Sequence, residues 1–283
     1  MKTIIANQQL DEERALYNLK NTEVKNCVFA GPADGESALK EARGVTVNDC
    51  DFSLKYPLWH AERFEVLHSR MDETTRAPLW YAKRGLLERC TINGIKAVRE
   101  CYDITINKCR IVSPEFGWKN RKLRIIDSEI ESEYLLFESR DMEIDRLRMK
   151  GKYSFQYVKN VHIRDSVLDT KDAFWHAKNV TVENSVLSGE YLAWFCDGLT
   201  FVNCEITGTQ PLCYCKNLKL INCTMEGVDL AFEYSDVDAD IRGNAVSIKN
   251  PKSGVITVDS VGEIIWDDAV MDCKGKVIVR SSQ

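Results

Sequence analysis

The chain has 283 residues, 44% of them hydrophobic and 29% charged, which excludes a disordered polymer and leaves enough apolar mass for a substantial core. Forty-three acidic against 38 basic residues give a net charge of −5, no footprint for nucleic acid. Asp, Glu, Lys or Arg recurs every few positions, so no run approaches the roughly 18 uncharged apolar residues of a membrane helix, and no membrane partner is expected.

The N-terminal residues Met1 to Gln9 turn polar after three apolar positions, too short a run for a secretory signal, and the expected address is cytoplasmic. Asp11 to Tyr17 reads as a short helix capping the first coil, with Asp11 as N-cap. Between Cys27 and Cys50, Gly31-Pro32-Ala33-Asp34-Gly35 marks a side loop.

From there the chain is periodic. Cys50, Cys90, Cys109, Cys204 and Cys223 share a register with Ser69, Ser128, Ser166 and Ser185, in eight steps of 19 residues and one of 21, and Leu147 fills the remaining slot. The two extra residues fall between Met71 and Pro78. Five residues before the slot stand Val161, Val180 and Leu199, three before it Ile163, Val182 and Phe201, and two after it Leu168, Leu187 and Ile206, an alternation with the period of a half-buried strand. Asn184, Asn203 and Asn222 form a row whose amides suit a stacked turn.

A second segment in each unit carries a bulky aromatic slot: Trp59, Trp80, Trp118, Trp175 and Trp194, with Phe137 and Phe232. It reads as a second strand whose tryptophans point inward. Nineteen residues holding two strands leave no room for a helix of typical length, so the units must stack as coils with parallel strands about 4.8 Å apart. Ten such coils make a regular stack about 48 Å long.

The V-x-V-x-N-C/S-x-h coils from Gly44 to Asp236 resemble the single-stranded right-handed parallel β-helix of pectin-lyase-like proteins. More narrowly they resemble a functionally uncharacterised bacterial family of short-coil β-helix proteins. The handedness is what this resemblance implies. Leu218-x-Leu220-x-x-Cys223-x-Met225 also fits a leucine-rich repeat, but the unit is shorter than those repeats and their consensus has no place for the tryptophan segment. The expected fold is all-β: one domain over 1–283, with an N-terminal cap, first coil and side loop at 1–43, regular coils at 44–236, and irregular coils at 237–283.

The Asn-Thr-Asp, Gly-His-Gly and Arg-Ile-Lys signatures of polygalacturonases are missing, as are a Gly-rich phosphate loop and Gly-x-Ser-x-Gly, so no catalytic motif is recognisable. Any activity implied by the resemblance would be that of a glycoside hydrolase or lyase. His60 and His176 lie six coils apart, and Cys213, Cys196 and Cys215 read as a buried reduced ladder; neither a metal nor another cofactor is called for.

The row beside the tryptophans, read as outward, runs His60, Tyr81, Glu100, Lys119, Glu138, Tyr157, His176, Phe195, Tyr214 and Glu233. Four positions earlier run Tyr134, Tyr153, Asp172, Tyr191, Gln210 and Asp229. Tyr134, Tyr153, Tyr157, Asp172, Tyr191 and Tyr214 are the candidates for a ligand groove, their aromatic rings serving as platforms for sugar rings. Glu100 and Glu138, two coils apart, stand near the separation of inverting glycosidases, though Lys119 between them favours an ion-paired ladder; His176 is the third catalytic candidate. The expected partner is a saccharide or sugar-bearing metabolite on an outer sheet. The alternative is a non-enzymatic scaffold for protein partners.

Overall fold

The computed structural model describes residues 3–31 and 36–281. The chain is an all-β, right-handed parallel β-helix of about 14 turns, with no helix among the described residues. Ten regular coils become about 14 turns because both irregular ends coil as well. The chain divides into two compact units, residues 1–143 and 144–283.

One coil of the second unit shows how the repeat folds. Lys178–Glu183 is the first strand, Asn184 turns the corner, and Val186–Ser188 is the second strand. Each strand pairs in parallel with its counterpart 19 residues on, Val180 with Leu199, Val182 with Phe201 and Leu187 with Ile206. The inward members of these rows are buried, so equivalent apolar residues lie directly above one another. The corner asparagines sit in the left-handed region, at φ 49° to 52° for Asn184, Asn203 and Asn222. Their amides form the expected ladder: Asn203 Nδ2 donates to Asn184 Oδ1 at 3.1 Å, and Asn222 Nδ2 to Asn203 Oδ1 at 2.9 Å.

The Ser/Cys slot has a more definite task than filling a corner. Ser166 Oγ donates to Arg164 O at 2.7 Å and accepts the Leu147 N–H at 3.0 Å, while the Ser166 N–H is taken by Ser185 Oγ at 3.0 Å. In the first unit, Cys50 N–H reaches Ser69 Oγ at 3.0 Å and Cys109 N–H reaches Ser128 Oγ at 3.0 Å. The serines thus satisfy a corner N–H of the preceding coil that the strand ladders leave over, which Leu147 in its slot cannot do. Thiols fill the same role, and burial pushes Cys50 and Cys101 up to about 12, which keeps them protonated and unreactive.

The tryptophan segment departs from the expected second strand. Within the regular coils only Glu115–Phe116 and Tyr134–Leu135 pair as strands there among the described residues; elsewhere in those coils the segment is a run of turns. Alternate residues are left-handed, as at Asp172, Phe174 and His176 with φ 53°, 60° and 57°. The conformation is held by turn bonds such as Ala177 N–H to Phe174 O at 3.0 Å, and by bonds between coils such as His176 N–H to Trp194 O at 3.0 Å. Alternating hand breaks the period of two. Ala173 and Phe174 are both buried, Trp175 and His176 both reach the surface, and Ala177 is buried again. The tryptophans therefore face outward and Phe155 and Phe174 fill the core beneath them, stacked at 4.8 Å.

Two further expectations are corrected. Asp11–Tyr17 is not a helix but the turn segment of the first coil, since Leu16 N–H and Asn18 N–H bond to Ala38 O and Lys40 O at 2.9 Å. In the last coils a one-residue insertion shifts the rows. Tyr214 N–H bonds to Glu233 O at 2.7 Å and Tyr234 packs on Tyr214, so Phe232 is a buried core residue, while Glu233 takes the tryptophan slot. Asp229 likewise yields its row position to Leu230, which has the left-handed φ of Gln210. Pro32 to Gly35 of the side loop lie outside the described residues.

At the 71–78 insertion, Asp72 accepts bonds from Ser53 Oγ at 2.5 Å, Thr74 N–H at 2.9 Å and Thr74 Oγ1 at 2.6 Å. Burial, which raises its pKa, is outweighed by these bonds and by Arg70, and the carboxyl sits below its ordinary value. A depressed folded pKa contributes stability that is present above the unfolded value, roughly 3.9, and lost as pH falls through the folded one. Asp72→Asn should therefore lower the denaturation midpoint at pH 7 and flatten its decline below pH 4; a parent-like acid limb in the variant would refute this.

Candidate functional site

The outward residues of the turn segments stack along the coils. In the first unit Lys40 lies 4.3 Å from the Trp59 ring, Trp59 stacks on Trp80 at 5.9 Å, Arg99 lies 5.7 Å from Trp80 and 5.4 Å from Trp118, and Trp118 meets Phe137 at 5.2 Å. Six successive coils thus carry one continuous column in the order cation, ring, ring, cation, ring, ring. Glu138 is engaged by Lys119 at 3.6 Å, but Glu100 is engaged by Arg99 at 3.4 Å and not by Lys119, so only half of the expected ladder through Lys119 forms. Tyr134 stands edge-on to Trp118 at 6.1 Å, and its carbonyl accepts the Trp118 indole N–H at 2.9 Å.

The second unit has two such ladders side by side. Trp175 stacks on Trp194 at 5.4 Å. Beside them Tyr157, His176, Phe195 and Tyr214 stack at 4.8, 5.1 and 4.8 Å with planes within 19° of parallel. In this unit the tryptophan N–H is used: Trp175 Nε1 donates to Tyr191 O at 2.8 Å and Trp194 Nε1 to Gln210 O at 2.7 Å, whereas Trp59 Nε1 and Trp80 Nε1 of the first unit are buried without a hydrogen bond among the described residues. Gln156 occupies the same slot and does the same, Nε2 to Asp172 O at 2.9 Å. Sequence reasoning passed over Gln156; a side-chain N–H donor recurring at 19-residue spacing was the signal.

This geometry changes what the rings offer. Their faces are spent on one another, so Tyr157 and Phe195, 48% and 43% exposed, present edges to solvent rather than platforms for sugar rings. His176 is held between Tyr157 and Phe195. The predicted groove residues also divide between the units: Tyr134 belongs to the first, and Tyr153, Tyr157, Asp172, Tyr191 and Tyr214 to the second.

Asp172 stands apart from the other carboxylates of these rows. It is only 9% exposed, and its carboxylate has no hydrogen bond or ion pair among the described residues. Its backbone is fixed on three sides, by Gln156 at its carbonyl, by its own N–H to Glu190 O at 3.0 Å, and by the buried Thr170 to Ser154 hydroxyl bond at 3.0 Å close by. Tyr153 and Tyr191 hold the equivalent positions on the coils before and after, as Tyr153 N–H to Lys171 O and Asp172 N–H to Glu190 O show. Lys171 is taken by Glu190 at 2.6 Å and lies 5.2 Å from the Tyr191 ring. Burial chiefly, with Glu190 adding and Lys171 and Lys152 opposing, holds the Asp172 carboxyl above its ordinary pKa. The array is a recessed acceptor framed by tyrosines. Among the described residues no group of three or more His, Cys, Asp or Glu side chains is placed to hold a metal ion.

Several solved structures align with this chain, PfbA alone of those named here closely enough to share its fold. PfbA, a surface adhesin of Streptococcus pneumoniae, aligns over 88% of this chain and 84% of its own at 8% identity, with a TM-score of 0.52. A mutant of the periplasmic alginate epimerase AlgG aligns over 98% and 72% at 9% identity and a TM-score of 0.29. The catalytic domain of a GH87 α-1,3-glucanase in complex with nigerose aligns over 99% and 64% at 10% identity and a TM-score of 0.27. At such identities the likeness concerns the fold alone. No curated protein matches the chain in sequence. A family model described as "Protein of unknown function (DUF3737)" matches residues 3–279, and the chain belongs to that family.

Proposed function

We propose that the second unit binds a saccharide, with Asp172 accepting hydrogen bonds from sugar hydroxyls and Tyr153 and Tyr191 flanking it. The observation that supports this reading is the recessed carboxylate with no hydrogen-bond partner of its own, a group whose desolvation the charges of Lys171 and Lys152 only partly offset. Binding rests on hydrogen bonds rather than on ring stacking, since the ladder rings cover one another. No reaction is assigned to the site. The thiol ladders belong to a reducing compartment, consistent with a cytoplasmic address, because a disulfide would abolish bonds such as Cys196 Sγ to Phe174 O at 2.8 Å and Cys215 Sγ to Ala193 O at 2.8 Å.

Glycan-array binding of the purified chain, followed by titration of the best saccharide, tests the reading. Asp172→Asn should weaken binding at least tenfold, and Tyr191→Ala should weaken it too. Because the folded pKa of Asp172 is raised, its ionised form costs native stability above that pKa, and the cost is absent below the unfolded value. Asp172→Asn should therefore hold or raise the thermal midpoint at pH 7 while it loses ligand. An array with no hits, or an Asp172→Asn variant that binds like the parent, overturns the proposal. The exposed edges of Tyr157 and Phe195 favour the second reading, a protein-docking band, and an empty array would leave that as the reading to pursue.

A further inference from the structure

The first unit carries a concavity of about 430 Å³ on the outer face of its first-strand sheet, lined by Asn21, Gly44, Thr46, Arg63, Glu65 and Arg84 among others. Its origin is a missing side chain. Each coil starts this strand with a left-handed residue whose side chain stands outward: Asn21, Gly44, Arg63 and Arg84 have φ 48°, 65°, 53° and 55°. Gly44 puts no side chain of its own between Asn21 and Arg63, and the end of the Asn21 side chain leans over it. A Cβ built there would come within 2.7 Å of Asn21 Oδ1.

The charge around this concavity runs against that of the chain, which is acidic overall. Arg43, Glu62 and Lys83 occupy successive coils in the adjoining column, beside Gly44, Arg63 and Arg84. Arg63, Arg84 and Glu65 line the concavity, with Arg43, Lys83 and Glu62 in the column beside it. Glu62 pairs with Arg84, and Glu65 accepts the Thr46 hydroxyl at 3.2 Å. Arg63 has no carboxylate partner among the described residues, although it lines the cavity. An unpaired guanidinium beside a second one, over a floor that lacks a side chain, matches an oxyanion that accepts forked hydrogen bonds. The volume exceeds that of a phosphate ion and falls in the range of small-molecule sites, and Asn21 and Thr46 supply neutral donors and acceptors beside the arginines.

We infer that this cleft binds a phosphorylated small molecule, its phosphate on Arg63 and Arg84 and its polar body against Asn21 and Thr46. The site lies in the first unit and does not rest on the saccharide reading of the second.

Calorimetric titration of the full chain with a hexose 6-phosphate, with the unphosphorylated hexose and with inorganic phosphate is the test. The hexose 6-phosphate should bind saturably, inorganic phosphate at least tenfold more weakly, and the hexose alone should give no heat that depends on Arg63. Arg63→Gln should weaken the phosphorylated ligand at least tenfold. Gly44→Asn should abolish binding while the chain still folds, because asparagine tolerates a positive φ and the atom it meets ends the flexible Asn21 side chain. Arg140→Gln, a first-unit cation outside the cleft, should leave binding unchanged. Absence of binding by either phosphate, or parent-like affinity in both Arg63→Gln and Gly44→Asn with an unchanged circular dichroism spectrum, would overturn the inference. Equal affinity for inorganic phosphate and the hexose phosphate would overturn the role of Asn21 and Thr46.

Discussion

Asn120→Leu should destabilise the chain by about 2–6 kcal/mol, at roughly 1–3 kcal/mol for each of two buried polar groups it strands. Asn120 is buried in the corner row that also holds Cys101 and Ser139. Its Oδ1 accepts the Cys101 N–H at 2.7 Å, and its Nδ2 donates to Val98 O at 2.7 Å. Its own N–H is taken by Ser139 Oγ at 2.8 Å, which in turn donates to Gly117 O at 2.6 Å. Leucine roughly keeps the shape and loses both side-chain bonds, leaving the Cys101 N–H and the Val98 carbonyl unpaired beside a buried side chain. Urea denaturation of parent and variant measures the difference. A loss under about 1 kcal/mol would mean that the corner relaxes to pair these groups elsewhere.

Gly208→Ala is the second large effect expected, because strain and collision coincide there. Gly189 and Gly208 occupy equivalent positions on adjacent coils with φ 141° and 131°, a region that side chains rarely adopt. A Cβ on Gly208 would fall 1.8 Å from Gly189 O, a backbone atom held in the ladder by its own bond from Gly189 N–H to Thr207 O. The coils cannot part without giving up ladder bonds, so the variant should lose more than about 3 kcal/mol, beyond the roughly 1–3 kcal/mol of backbone strain alone. Gly227→Ala separates the two contributions. Gly227 has φ 69° and nothing within 4 Å of its Cβ position, so its substitution should cost only about 1–2 kcal/mol. If thermal denaturation shows equal losses at the two sites, close coil contact is not what demands glycine at Gly208.

Both effects arise where one coil meets the next, and that relation was partly visible in one dimension. The 19-residue ruler located the Ser/Cys slots, the asparagine row and the apolar strand positions, because a solenoid sets equivalent residues directly above one another and each row must meet the same demand. The purpose of the Ser/Cys slot was less legible. A small side chain at a corner reads the same whether it fills space or accepts an N–H, and only the placement of Leu147 N–H over Ser166 Oγ distinguishes the two. The turn segment was misread for a related reason. Phe174, Ala193 and Leu212 adopt positive φ although such residues ordinarily avoid it, so local propensity points to a strand. Bonds to neighbouring coils, such as Phe174 N–H to Ser154 O at 2.7 Å, hold the alternation in place.

The candidate sites divide in the same way. The rows that hold Asp172, Tyr153 and Tyr191 were legible, as was the pairing of Glu138 with Lys119, whereas Arg99 as the partner of Glu100 was not. That Asp172 is buried without a partner was not, nor that Tyr157, His176 and Phe195 cover each other's faces, since both depend on where side chains point once the hand alternates. By itself the sequence determined the repeat length, the parallel stacking and the residue types of each row, because these follow from periodicity and chain geometry. Only the tertiary structure decided which rows face solvent, which carboxylate lacks a partner and where a missing side chain opens a basic cleft, because each of these depends on contacts between coils that lie 19 or more residues apart.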